Sequence, residues 1–252
     1  MRLPRRLDHG QQVALVGHLE EFRSRLLVAG GAILATTIFA FVMHRQVIAL
    51  LVDQLPLHHR HLLTLGVAEP FTTSFKVSLA LGFALALPIV LWQLWSFVAP
   101  AMTPKTQRGI AGFTVFAAAL MVGGTVFGYR VALPAALHFL TNYDNSVYNV
   151  QIRAADFISF SVLVLAACGA VFELPIVVLG LVRVGALSSA KLRRNRRIGY
   201  MIVAVIGVAL PGVDPITTIV ETIPLAILFE SSIWLSVLFE RRWAAPAVPT
   251  GA

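Results

Sequence analysis

The sequence predicts an all-α integral membrane protein of six transmembrane helices, with N and C termini cytoplasmic and with helices five and six short. Three observations carry this. Of the 252 residues 58% are hydrophobic and only 13% charged, with a mean hydropathy of +0.81, so most side chains have lipid rather than water as their solvent. The apolar residues gather into six runs, and backbone polar groups in lipid must be satisfied within their own segment, which selects helices. The 20 Lys and Arg residues sit in short clusters between those runs rather than interleaved with aromatics, a pattern of topology signals and not of a nucleic-acid surface.

Residues 1–25 are expected to form a cytoplasmic amphipathic segment, 26–240 a six-helix bundle and 241–252 a cytoplasmic tail, all within one polytopic membrane domain, 1–252. No cleavable leader is expected, because the first long apolar stretch begins near Leu26, behind a charged segment, and is full-length for a span. In HLEEFRSRLL, His18, Glu21 and Arg25 fall at i, i+3 and i+7, with Leu19, Phe22 and Leu26 on a neighbouring stripe. Helices one to four are expected over 26–43, 75–98, 110–140 and 157–182, each long enough to cross with tilt. The fifth, 198–210, has 13 residues, or about 20 Å of helix, against a hydrocarbon core of about 30 Å. The sixth, 216–238, is interrupted by Glu221, Pro224 and Glu230, so a thinned bilayer is expected around helices five and six.

Orientation follows from the cations. The N-terminal segment, the loop near Lys105, the loop around Lys191 and the C-terminal tail carry five, two, six and two of them, and the opposite face the remaining five. By the positive-inside rule the richer face is cytoplasmic, with the densest block at Lys191, Arg193, Arg194, Arg196 and Arg197. The long loops 44–74 and 141–156 are then external. The first holds His58, His59 and His61, which lack a Cys or carboxylate at ligand spacing and read as a solvated loop rather than a metal site. The single cysteine, Cys168, lies in an apolar run and reads as a small core residue.

Polar residues inside the apolar runs are the places where chemistry can reside. Glu21 and Arg25 have the spacing of an ordinary i, i+4 ion pair on a surface helix. Glu173, in VFELPIVV, is an acid at bilayer depth, where such groups face a cavity or a partner. Pro175 follows two residues later and is expected to kink or loosen helix four beside that carboxyl group. In LPGVDPITTIVETIP, Asp214 before Pro215 has the form of a helix N-cap with proline at the first position. Asp214, Thr218 and Glu221 then fall at i, i+4 and i+7 and present a polar stripe within the membrane. Trp92 and Trp95, next to a basic loop, fit the interfacial aromatic belt.

The sequence lacks a Walker A loop, an H-E-x-x-H zinc motif and a G-x-S-x-G nucleophile turn. No enzyme, cofactor or metal is expected. Two rivals to a protein-binding role are a proton- or ion-coupled secondary transporter with Glu173, Asp214 and Glu221 as a carboxylate relay, and an intramembrane protease using Asp214. The proline after Asp214 suits a cap better than a catalytic dyad.

Five strings in order, HLEEFRSRLL, EPFTTSFKVSL, LPIVLWQLWSFVAPAM, FELPIVV and LPGVDPITTIVETIPLAILFE, together resemble the TatC proteins, and the likeness runs from His18 to Glu230. The resemblance implies a core and receptor subunit of an inner-membrane translocase that moves folded proteins across the membrane using the proton gradient. It implies TatA- and TatB-type single-span partners, twin-arginine signal peptides as ligands and a homo-oligomeric receptor complex, with no nucleic acid. It places signal-peptide binding on Glu21, with Arg23 and His18 orienting it. A carboxylate accepts a bidentate guanidinium bond that lysine cannot reproduce, which agrees with that role. The family's second signal-binding acid falls at Thr106 here, and Glu20 or the amide oxygen of Gln107 is expected to compensate. Glu173 matches the family's intramembrane glutamate and Asp214 the acid that opens helix six. Thr218 stands where a glutamine is usual, and Glu221, on the same stripe, is expected to anchor a partner helix.

Overall fold

The computed structural model describes residues 15–98, 110–144, 147, 150–183, 185–210 and 215–243. The helices among them are α1 (Leu15–Val42), α2 (His44–Val52), α3 (Glu69–Val98), α4 (Ile110–Phe127), α5 (Leu133–Asn142), α6 (Ala154–Phe172), α7 (Leu174–Arg183), α8 (Ser189–Arg194), α9 (Arg196–Ala209) and α10 (Pro215–Trp243). A 3-10 turn covers Leu57–His59, and a π-helical segment, Gly128–Ala132, joins α4 to α5. Five stretches are long and apolar enough to cross a membrane: Glu20–Val42, Glu69–Phe97, Ala111–Asn142, Ala154–Arg183 and Pro215–Glu240.

The fifth predicted helix is present as α9 and is short, with 14 residues, or about 21 Å. The sixth is not short. Helix α10 runs unbroken for 29 residues with Pro224 inside it, which overturns the expectation drawn from Glu221, Pro224 and Glu230. Those residues interrupt an apolar run without ending a helix, because Glu221 is buried and Glu230 is held by Tyr200 and Arg196. The loop 44–74, expected to be external, is also more ordered than expected. Residues 44–52 are helical as α2, and α3 starts at Glu69. Glu69 Oε2 accepts the backbone N–H groups of Leu65 (3.0 Å) and Gly66 (3.2 Å), tying the approach to the helix start.

The chain divides into two compact units, Met1–Val52 with Thr64–Ala119, and Asp53–Leu63 with Leu120–Ala252. In the first, α1 packs along α3. Lipid supplies no hydrophobic drive between helices, so close approach and hydrogen bonds hold such a pair. Thr36 Oγ1 donates to the Gly82 carbonyl at 2.7 Å. A Cβ on Gly82 would lie 2.3 Å from Thr37 Oγ1 and 2.5 Å from Thr37 Cα, so only glycine fits there. The outer face of α1 presents Leu27, Leu34 and Ile38, all exposed, as a lipid-facing helix does.

In the second unit α9 and α10 pack around Val203, Leu225, Phe229 and Ile233, with Val171 and Leu174 against the same cluster. Gly199 lies under the Phe229 ring, whose Cζ would meet an added Cβ at 2.0 Å. Two backbone bonds pin the loops of this unit together: Leu63 N–H to Ile152 O (2.9 Å) and Ala154 N–H to Leu63 O (2.8 Å). Arg60 braces its own loop through Asp53 Oδ1 (3.0 Å) and the Leu55 carbonyl (3.2 Å).

Candidate functional site

Sequence-predicted residues fall in both units, and each set is built differently. In the first unit Glu21 lies one and a half turns into α1. Arg25, one turn on, donates from Nε at 3.1 Å and from its terminal nitrogen to the same oxygen, Oε1. The predicted i, i+4 pair is therefore formed, with side-chain exposures of 22% for Glu21 and 13% for Arg25. The pair is neither open to bulk water nor deeply buried. Phe22 packs on Phe97 with ring centroids 5.5 Å apart, fastening the start of α1 to the end of α3. Trp95 in turn meets Phe113 edge-on at 5.2 Å. Glu20 and Arg23 are exposed on α1. His18 is on the same helix, but its side chain, like Thr106 and Gln107, lies outside the described residues.

In the second unit Glu173 occupies the junction between α6 and α7, at φ −74° and ψ −7°. The predicted loosening of helix four is thus a break centred on the carboxyl-bearing residue itself. Pro175 has no N–H to give to the carbonyl four residues back. Glu173 N–H instead turns to Ala170 O at 3.1 Å, and the helix resumes as Val177 N–H reaches Glu173 O at 3.0 Å. Both carboxyl oxygens of Glu173 are out of solvent, and neither meets a hydrogen-bond donor among the described residues. Leaving such a group without a partner costs about 1–3 kcal/mol, and more if it is charged.

Glu221 is 3% exposed on α10. It therefore faces the interior of its unit and not an outer surface. The residue one turn before it on that inward face is Thr217, 0% exposed, and not the predicted Thr218, which is half-buried and accepts from Thr222 Oγ1 at 2.7 Å through its carbonyl. A spacing of three and a spacing of four are both neighbours on a helix, and only the helix rotation tells them apart. Asp214 lies outside the described residues.

A further polar cluster has no counterpart among the predicted site residues. Tyr200 donates to Glu230 Oε1 at 2.6 Å, Arg196 reaches Glu230 Oε2 at 3.5 Å, and the Arg196 guanidinium sits 6.0 Å from the Trp234 ring centroid. Arg196 and Tyr200 on α9 lie 30 or more residues from Glu230 and Trp234 on α10, beyond the reach of any local pattern. Arg196 reads in the sequence only as one cation in a topology block.

Long apolar helices, a short companion helix, a helix break carrying a carboxyl with no donor among the described residues and a cation-rich end together define a multi-pass helical membrane protein. A family model described as Sec-independent protein translocase protein (TatC) matches residues 17–224. The TatC of Carboxydothermus hydrogenoformans is 32% identical over 225 residues, covering 89% of this chain and 93% of that protein. TatCd of Bacillus subtilis is 32% identical, covering 92% and 95%. A crystal structure of the twin-arginine translocase receptor TatC matches with a TM-score of 0.76 at 31% identity, covering 87% of this chain and 99% of that one. The chain belongs to the TatC family. It is accordingly a multi-pass inner-membrane component of Tat protein translocation and not an enzyme.

Proposed function

We propose that this chain is the receptor subunit that binds twin-arginine signal peptides and, with TatA- and TatB-type single-span partners, passes folded proteins across the membrane using the proton gradient. The observation that carries this is Glu21 holding a guanidinium through two donors in a half-sheltered position near the start of α1. A carboxylate so disposed binds an incoming arginine by exchange for Arg25, and the fork of a guanidinium makes paired lysines poor substitutes. Glu20 and Arg23 flank it on the exposed face, while His18 and Gln107 complete the proposed set.

The chain works as one membrane domain of six spans, with α9 as the short fifth and both termini cytoplasmic. The positive block from Lys191 to Arg197 supports that orientation, as does the pairing of Leu63 with Ile152 and Ala154 in two loops expected on one face. Glu173, Asp214, Thr218 and Glu221 form the intramembrane polar site. Within it Glu173, with no donor among the described residues and at a helix break, is the group best suited to accept a donor from a partner helix or signal segment. Receptor complexes contain several copies of the chain.

The test is a photo-crosslinker at the exposed Ser24, with Glu21 intact, and a signal peptide bearing either two arginines or two lysines. Paired arginines are expected to label several-fold more strongly than paired lysines. Equal labelling of both peptides overturns the assignment.

A further inference from the structure

The groove between α8 and α10 is used by nothing described so far. It encloses about 1610 Å³ and is walled by α8 and the start of α9 on one side and by α10 from Ala226 to Leu238 on the other. Along α10 that distance is about 18 Å. Its chemistry is split along its length. At the α8 end stand Arg193, Arg194 and Arg196, and the one carboxylate in the lining is Glu230. Arg196 is committed to Glu230 and to the Trp234 face. Arg193 and Arg194 are exposed and have no ion-pair partner among the described residues. Apart from Glu230 and Ser231 the α10 wall is apolar and bare: Ile227, Trp234 and Leu238 are each more than half exposed.

Two uncommitted guanidinium groups beside an open apolar trough in a membrane protein match one kind of molecule, a phospholipid with an anionic head. The phosphodiester accepts from the planar forks of Arg193 and Arg194, and an acyl chain lies along Ile227 and Trp234. Trp234 itself has the amphipathic ring of the interfacial zone. A free phosphate would leave the apolar wall unused, and a zwitterionic lipid would leave the excess positive charge unmatched. We propose that this groove is a binding site for one anionic phospholipid, held by Arg193 and Arg194 at its head and by the Trp234 face of α10 along its chain. Juxtamembrane cations are attracted to anionic lipid headgroups. The site depends on the chain's residence in a membrane and not on the role of Glu21, so either assignment can fail alone.

The delipidated full-length protein in detergent is titrated with phosphatidylglycerol or phosphatidylcholine and lipid retention is read by native mass spectrometry. On the order of tenfold preference for phosphatidylglycerol is expected, lost in R193Q/R194Q. To locate the lipid, Trp92, Trp95 and Trp243 are replaced by phenylalanine, and Trp234 fluorescence is followed in vesicles with brominated acyl chains on either lipid. Brominated phosphatidylglycerol is expected to quench several-fold more than brominated phosphatidylcholine at equal content. Indifference to the headgroup, a preference that survives R193Q/R194Q, or displacement of the lipid by millimolar glycerol phosphate each overturns the proposal. Failure of the tryptophan-depleted chain to fold leaves the native-chain titration to decide it.

Discussion

Glu21 and Glu173 are both acids of one membrane protein, yet their surroundings are opposite. Glu21 sits on an unbroken helix with a guanidinium partner supplied one turn away by its own strand of sequence. Glu173 sits where its helix is broken, with both oxygens out of solvent and no donor in reach among the described residues. An acid that already has a cation loses little until an incoming arginine replaces it, so it is suited to exchange. An acid without one carries a standing cost that only an added partner removes.

The largest expected effect comes from reversing the first of these charges. Glu21→Lys should weaken binding of a twin-arginine peptide by about 100-fold, because a like charge then faces two guanidinium groups; fluorescence anisotropy with a labelled peptide measures it. Full-strength binding would remove Glu21 from the site. The scaffolds beneath the two acids should also break unequally. Gly82→Leu drives a side chain into the Thr37 backbone, whereas Gly199→Leu meets the Phe229 ring, which can swing. Each should destabilise by about 1–3 kcal/mol, since overpacking forces shifts, with Gly82→Leu the lower in melting temperature.

Glu173→Leu should raise thermal stability by about 1 kcal/mol, by removing buried oxygens that lack a donor, while Tat-dependent export falls. A lower melting temperature would mean that the carboxyl is a structural anchor rather than a waiting acceptor. The smallest effect is expected from Arg25→Ala. It should cost only a few tenths of a kcal/mol in helix stability and leave twin-arginine binding equal or tighter, because one internal competitor is gone. Parallel losses of binding in Arg25→Ala and Glu21→Lys would show that the pair acts as a unit and not by exchange.

The apolar runs, the short fifth helix and the helix break beside Pro175 were legible because each rests on composition or on the covalent peculiarity of one residue. The ion pair of Glu21 with Arg25 was legible for the same reason, as a spacing of four on a helix. Thr217 and Thr218 both fit the helical repeat before Glu221, and that Thr217 is the buried one is set by the neighbours toward which the helix turns. Glu230 was read as an interruption because a charged residue in an apolar run resembles an end. Its hydrogen bond to Tyr200 and ion pair with Arg196 join residues 30 or more apart.

Hydropathy and local spacing depend on nothing beyond the chain itself, so the sequence alone settled that this is a helical membrane protein and roughly where its long helices lie. The length of α10, the burial of Glu221, the lack of a donor at Glu173 among the described residues and the basic groove beside Trp234 were decided by packing. Each depends on which side chains from distant segments arrive at the same place, and a linear pattern holds no record of that.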